Sequence, residues 1–207
     1  ALTLALAGCG APAREWPKPS PALWEVTGPK GEHGWLFGTI HSLPEGAKWR
    51  TKAVDQALAG SNLLVVEIAD LGDAPAAKRA FDKLATTPGL PPLSQRVAGG
   101  DRPALAAFLD KAGLDDDAFP HTETWGAAMI LANRVRQRDP ASGVDRALLA
   151  GARRIEGLET FEEQYGVFDA LPTGEQADLL LALAKEADGK SEEKEATEWL
   201  EGYLAGL

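Results

Sequence analysis

Hydrophobic positions change period along this chain, and the changes mark its elements. Leu23-Trp24-Glu25-Val26-Thr27 is rich in β-branched and aromatic residues, as strands are, and the Gly28 to Gly34 stretch that follows has turn composition. A second strand is predicted over Trp35–Ile40, so residues 23–40 read as a β-hairpin. In TKAVDQALAG, from Thr51 to Gly60, apolar residues fall at helical spacing and a glycine closes the run. The segment from Asn62 to Ile68 is apolar without alternation, the pattern of a strand covered on both faces. Strand, helix, strand in this order predicts a βαβ crossover into a mixed sheet.

Past Asp70 the period becomes helical. Helices are expected at about 74–86, 101–112, 122–138, 143–154, 161–170, 174–187 and 191–205, with a short strand near Arg154–Leu158 before the fifth of them. The expected fold class is α/β with α+β character: a mixed sheet with an N-terminal hairpin and a βαβ unit, followed by a mainly helical region. No internal repeat of fixed period is present.

Composition refines this picture at the N-terminus. Ala1–Ala7 is a short apolar run, and Leu6-Ala7-Gly8-Cys9 sets the chain's single cysteine after two small residues. That pattern resembles the lipobox of bacterial lipoproteins, whose cysteine carries the lipid, and the other reading is a chance cysteine in an ordinary signal peptide. Residues 1–8 are thus expected to be a partial signal peptide, and 9–22 a lipid-anchor cysteine with a Pro-rich tether. Folded sequence is expected over 23–207. No later apolar run approaches the roughly 20 residues that span a bilayer. The only methionine is Met129 and no basic n-region precedes the apolar run, so the start of the sequence is expected to lie inside a longer precursor.

Charge narrows the partners. With 21 Lys and Arg against 31 Asp and Glu, the formal charge is −10, and no basic face is visible that would neutralise phosphates, so nucleic acid is not an expected partner. The acidic excess in residues 188–202 reads as a solvated helix face.

Three places put ionisable groups at predicted strand ends, where α/β sheets present ligands. In Gly38-Thr39-Ile40-His41 the histidine follows a strand and projects from its rim, or else caps a turn. Glu67 interrupts the apolar run LLVVEIAD; buried there, it needs a metal, a cation or hydrogen-bond donors, and Arg146 or Arg154 would serve as structural partners. Glu159 of Gly157-Leu158-Glu159-Thr160 is either a first-turn helix acid with Thr160 as cap or a second carboxylate on the same rim. One histidine and two carboxylates, His41, Glu67 and Glu159, would make a nitrogen-and-oxygen site for a borderline or hard divalent ion such as Mn, Co or Zn. His33 reads as an exposed turn residue, His121 as a helix-start residue, and Asp145 as either a helper of the site or a first-turn acid. The chain has no phosphate-binding Gly-rich loop, HExxH, paired CxxC or G-x-S-x-G.

The segments LWEVTGPKGEHGWLFGTIHSLPEG, AVDQALAGSNLLVVEIAD, GVDRALLAGARR and IEGLETFEEQYGVFDALP together resemble the TraB/GumN family, to which the Tiki metalloproteases are similar. The resemblance runs from Leu23 to about Pro172. It implies an α/β fold with the GxxH histidine, His41, and the strand-borne Glu67 in the active site; Glu159 lies in a segment corresponding to another family motif. Family members usually carry a second GxxH near the C-terminus, whereas no Gly-x-x-His follows His41 here, so the sequence is also expected to be short of its C-terminal part. The function expected is a lipid-anchored envelope protein, facing the periplasm or exterior, whose site is that of a metal-dependent hydrolase or peptidase. In that mechanism His41 ligates the metal, Glu67 is ligand or general base, and Glu159 supports metal or water. The alternatives are a non-catalytic protein holding a peptide or envelope component in the same cleft, and metal-free acid/base hydrolysis by His41 with a carboxylate.

Overall fold

A computed structural model describes residues 15–44, 46–136, 142–187 and 192–207; Cys9 and the expected lipobox lie outside them. The fold is α/β, with two small sheets among the described residues and helices with their connections making up the rest. β1 (Leu23–Thr27) and β2 (His33–Phe37) form an antiparallel hairpin in which Glu25 faces Trp35 and Thr27 faces His33. The second strand thus begins two residues earlier than the pattern predicts and ends before Gly38. His33 belongs to β2 rather than the turn, and its Nδ1 lies 3.2 Å from Glu25 Oε1, on a diagonal cross-strand pair.

β3 (Leu64–Val66) does not join the hairpin. It pairs in parallel with β4 (Ile155–Gly157), Leu64 opposite Ile155, so the parallel unit is closed by a segment far along the chain rather than by the helix before β3. The continuous apolar run at 62–68 also overstates its burial. Val65 is about half exposed and the chain leaves strand geometry at Glu67, because a three-residue strand in a two-stranded sheet is covered on one face only.

The helices follow the periodicity closely, since their hydrogen bonds are local. They are α1 (Lys52–Gly60), α2 (Ala74–Leu84), α3 (Arg102–Ala112), α4 (Thr124–Arg136), α5 (Val144–Leu149), α6 (Phe161–Asp169), α7 (Thr173–Ala187) and α8 (Glu192–Ala205). Caps set several of their starts: Thr51 Oγ1 accepts the Val54 N–H at 3.2 Å, and Thr160 with Glu163 forms a capping box at α6. The Thr160 N–H and hydroxyl hold the Glu163 carboxyl below its ordinary range. α5 stops at Leu149, five residues before its predicted end, where the chain turns at Gly151.

Two hydrophobic clusters result. In one, small residues of α4, Ala127, Ala128 and Ala132, let it approach α7, whose Ala177, Leu180, Leu181 and Ala184 fill the contact together with Leu105, Phe108 and Leu109 of α3. The other gathers Leu43, Trp49, Val54, Val144, Leu148, Leu200 and Leu204, with Leu23, Phe37, Ile40 and Leu64 against it. This second cluster joins the hairpin, β3, α1, α5 and α8 around the residues that lead into His41. No described helix is long and apolar enough to cross a membrane.

α8 also reaches the segment before His41 directly: the Tyr203 hydroxyl donates to the Gly38 carbonyl at 2.9 Å, and burial pushes its phenol up to about 12. The folded protein therefore keeps this proton where the unfolded chain, at about 10, has lost it. The contribution of Tyr203 to stability is expected to be constant below pH 10 and to be lost as pH rises from about 10 to 12. Denaturant unfolding at pH 9 and pH 11 checks this. Tyr203→Phe should flatten the slope without removing it, because burial raises Tyr165 as well.

Candidate functional site

His41 lies four residues past the end of β2, and Glu67 directly follows β3. Although the two strands sit in different sheets, the segments that follow them meet. His41 Nε2 is 3.8 Å from Glu67 Oε2, with side chains 71% and 61% exposed. The expectation of a buried Glu67 is corrected: the carboxylate stands at an open rim, where water meets most of its solvation, and no buried counter-charge is required. The two structural partners considered for it are occupied elsewhere, Arg146 donating to the Leu71 carbonyl at 3.0 Å and Arg154 to Glu156.

The other ring nitrogen of His41 points inward. Nδ1 lies 3.2 Å from Oδ2 of Asp145, whose side chain is 11% exposed in the first turn of α5. Asp145 is thus a first-turn acid of α5, as one of the two readings has it, but a buried one turned toward His41 rather than toward solvent. Oδ1 of the same carboxylate is buried and meets no hydrogen-bond partner among the described residues.

Backbone contacts lay the His41 segment against α5. The Val144 N–H donates to the Ile40 carbonyl at 2.8 Å. The Ser142 hydroxyl donates to the Leu43 carbonyl at 2.8 Å and accepts the Leu43 N–H at 3.1 Å. Arg146, the neighbour of Asp145, holds the chain after Glu67 through Leu71. One short helix therefore fastens both loops. The glycine that permits this is Gly143: a Cβ there would lie 2.5 Å from the His41 carbonyl oxygen and 2.9 Å from Asp145 Oδ1. At Gly38, which the sequence motif singles out, a Cβ would meet nothing within 4 Å.

Glu159 is brought beside Glu67 through the backbone, its N–H donating to the Glu67 carbonyl at 2.9 Å as the parallel pairing runs past the strand ends. It precedes the α6 cap Thr160, so it is not a first-turn acid; those are Glu162 and Glu163. Its side chain is half-buried and lines a neighbouring groove of about 640 Å³ with Ile68, Asp70, Arg79 and Phe161. Among the described residues its side chain makes no hydrogen bond or ion pair with His41 or Glu67. His121 is exposed in a different part of the chain, its carbonyl accepting the Thr87 N–H.

His41 Nε2 and the Glu67 carboxylate are the donor types a borderline or hard divalent ion accepts, and both are open to solvent. They fit two positions of such an ion's sphere. Asp145 sits on the opposite side of the ring, so one ion does not take it as well, and no group of three His, Cys, Asp or Glu among the described residues is placed to enclose a metal. Sequence reasoning missed Ser142 and Gly143 and left Asp145 open. The only local signal is a glycine before Val-Asp, which does not reveal a contact with His41, 104 residues away.

A family model described as the TraB/PrgY/gumN family matches residues 22–207. No curated protein and no solved structure matches the chain.

Proposed function

Because the chain belongs to the TraB/PrgY/gumN family, we propose that it is a hydrolase, acting on a peptide or another envelope component, with His41 and Glu67 at the reacting centre. The observation that carries this reading is the exposed His41–Glu67 pair, Nε2 to Oε2 3.8 Å, where the segments after β2 and β3 meet. A pair this exposed contributes little to stability, yet the buried Asp145, the Val144 N–H, the Ser142 hydroxyl and Arg146 hold its loops in place. Rigid support for solvent-facing chemistry is what a site needs.

His41 Nε2 and Glu67 are the residues that would hold a divalent metal, with the remaining positions left to water or substrate. Such an ion supplies a water of lowered pKa and polarises a carbonyl. The chain's own residues do the rest. Glu67 takes the proton of the attacking water through its second carboxylate oxygen and delivers it to the leaving group, His41 keeps Nε2 for the ion, and the groove containing Glu159 adjoins the pair for substrate. The hydrolase character follows the similarity of the family to the Tiki metalloproteases. In the same reading the protein is a lipoprotein tethered to the bacterial envelope through Cys9 and facing the periplasm or exterior.

Titration of the purified soluble chain with Mn²⁺, Co²⁺ and Zn²⁺ by calorimetry tests the site. Binding near one equivalent is expected, lost in His41→Ala and weakened at least about tenfold in Glu67→Gln. Unchanged binding in His41→Ala removes the metal from this position. A second reading, a non-catalytic binder using the same cleft, is favoured by the lack of a three-donor cluster among the described residues. It takes the lead if the folded chain binds none of these ions and cleaves nothing in a peptide screen.

A further inference from the structure

We propose that Asp145 is a positioning residue for His41: it fixes the neutral ring with the hydrogen on Nδ1 and turns the Nε2 lone pair toward Glu67. The catalytic meaning of this assignment rests on the hydrolase reading above, whereas the tautomer itself does not.

Exposure decides what can orient the ring. With 71% of its side chain open to solvent, His41 is not held by packing, so its orientation must come from hydrogen bonds and from the backbone that carries it. Among the described residues the one side-chain bond directed inward is Nδ1 to Asp145 Oδ2, 3.2 Å. An ionised carboxylate only accepts, so Nδ1 must donate, and a neutral imidazole that donates from one nitrogen presents a lone pair on the other. The demand runs both ways. Asp145 is buried, its Oδ1 has no donor among the described residues, and burying a carboxylate without donors is costly, so the His41 N–H is the bond its burial depends on. Gly143 and the Val144-to-Ile40 bond bring the His41 backbone close enough for that reach.

The outcome is an asymmetric ring. Its Nδ1 edge is anchored in the fold and its Nε2 edge is presented, proton-free, at 3.8 Å from Glu67. Only in this tautomer does Nε2 accept a proton or a metal ion. An unassisted histidine side chain in water favours the other tautomer, with hydrogen on Nε2, so the arrangement inverts the intrinsic preference and is directly readable.

The test is two-bond ¹H–¹⁵N correlation NMR of the full chain labelled at its histidine rings, at a pH where they are neutral and without added metal. His41 is expected to show a protonated Nδ1 and a lone-pair Nε2, while exposed His121 serves as the internal reference for the intrinsic preference. In Asp145→Ala the His41 pattern should move to that of His121; Asp145→Asn, which keeps an acceptor oxygen, should move it less. A His41 ring with hydrogen on Nε2 in the unsubstituted protein overturns the proposal, as does an unchanged tautomer in a folded Asp145→Ala. The measurement on the unsubstituted chain stands alone if neither variant folds. Failure of metal binding with the expected tautomer present would overturn the metal-site reading and leave this proposal standing. Metal binding through a ring of the opposite tautomer in the free protein would do the reverse.

Discussion

Replacing Gly143 by alanine is expected to destabilise the protein by about 1–3 kcal/mol, the usual range for a methyl forced into filled space, and to loosen the segment that carries His41. The added Cβ would sit 2.5 Å from the His41 carbonyl oxygen, 3.0 Å from its carbonyl carbon and 2.9 Å from Asp145 Oδ1. Backbone cannot swing aside as the tip of a flexible side chain does. Either α5 or the His41 strand end must shift, and the 2.8 Å bond from Val144 N–H to the Ile40 carbonyl lies directly in the path. Conformation adds nothing to the effect, because Gly143 has φ −66 and ψ 143, which alanine adopts readily. The loss is steric alone. Gly166 is the matched control: it lies inside α6, a Cβ there meets nothing within 4 Å, and Gly166→Ala should stabilise by about 0.5–1 kcal/mol. Denaturant unfolding of both variants, read together with the His41 ring resonances, decides the matter. Unchanged stability and unchanged His41 signals in Gly143→Ala would mean that α5 and the His41 segment are not in close contact.

Trp125→Ala should cost about 3–5 kcal/mol, the range for emptying a large aromatic site in a core. Trp125 is fully buried at the start of α4. Its ring centroid lies 5.4 Å from Phe81 of α2 and 6.1 and 6.2 Å from Tyr165 and Phe168 of α6, so one side chain joins three helices. Trp125→Phe should cost far less, for a reason particular to this site. The indole Nε1–H is buried without an acceptor among the described residues, and removing it relieves part of the lost contact area. The exposed ion pair between Lys83 and Glu162, 2.8 Å, also spans α2 and α6 but contributes little, so Lys83→Ala belongs in the same series as a near-neutral change. Thermal and denaturant unfolding measure all three. A Trp125→Phe variant as damaged as Trp125→Ala would show that the indole edge is satisfied after all.

The two variants report on different parts of the molecule. Trp125 sits among aromatic side chains of α2, α4 and α6, whereas Gly143 sits between α5 and the His41 segment over the cluster of Leu43, Trp49, Val144 and Leu204. Disturbance of the His41 ring is therefore expected from the second and not from the first at temperatures where both remain folded.

What could be read from the sequence follows the range of the interactions involved. Helix boundaries at Lys52, Ala74, Arg102 and Thr173 fall close to where periodicity and cap residues put them, because a helix bonds four residues along its own chain. Thr160 was legible as a helix cap for the same reason, although its reciprocal bond with Glu163 was not read. The partner of β3 was not legible. The apolar run ending at Glu67 announces a strand without saying whether the hairpin or residues 155–157 will receive its hydrogen bonds, and that choice decides how much of Val65 and Glu67 meets water. His41 and Glu67 stood out as ionisable groups at strand ends. The company they keep did not stand out.

By itself, then, the sequence determined the helices, the hairpin, the α/β class and two of the side chains at the candidate centre, all through patterns that repeat or interrupt within a few residues. The tertiary structure decided that β3 pairs with β4, that Glu67 is exposed rather than buried, and that Asp145, Ser142 and Gly143 close on the His41 segment from about a hundred residues away. Those contacts cost loop-closure entropy and are set by packing of the whole chain, and no local pattern encodes which distant carboxylate a histidine will meet.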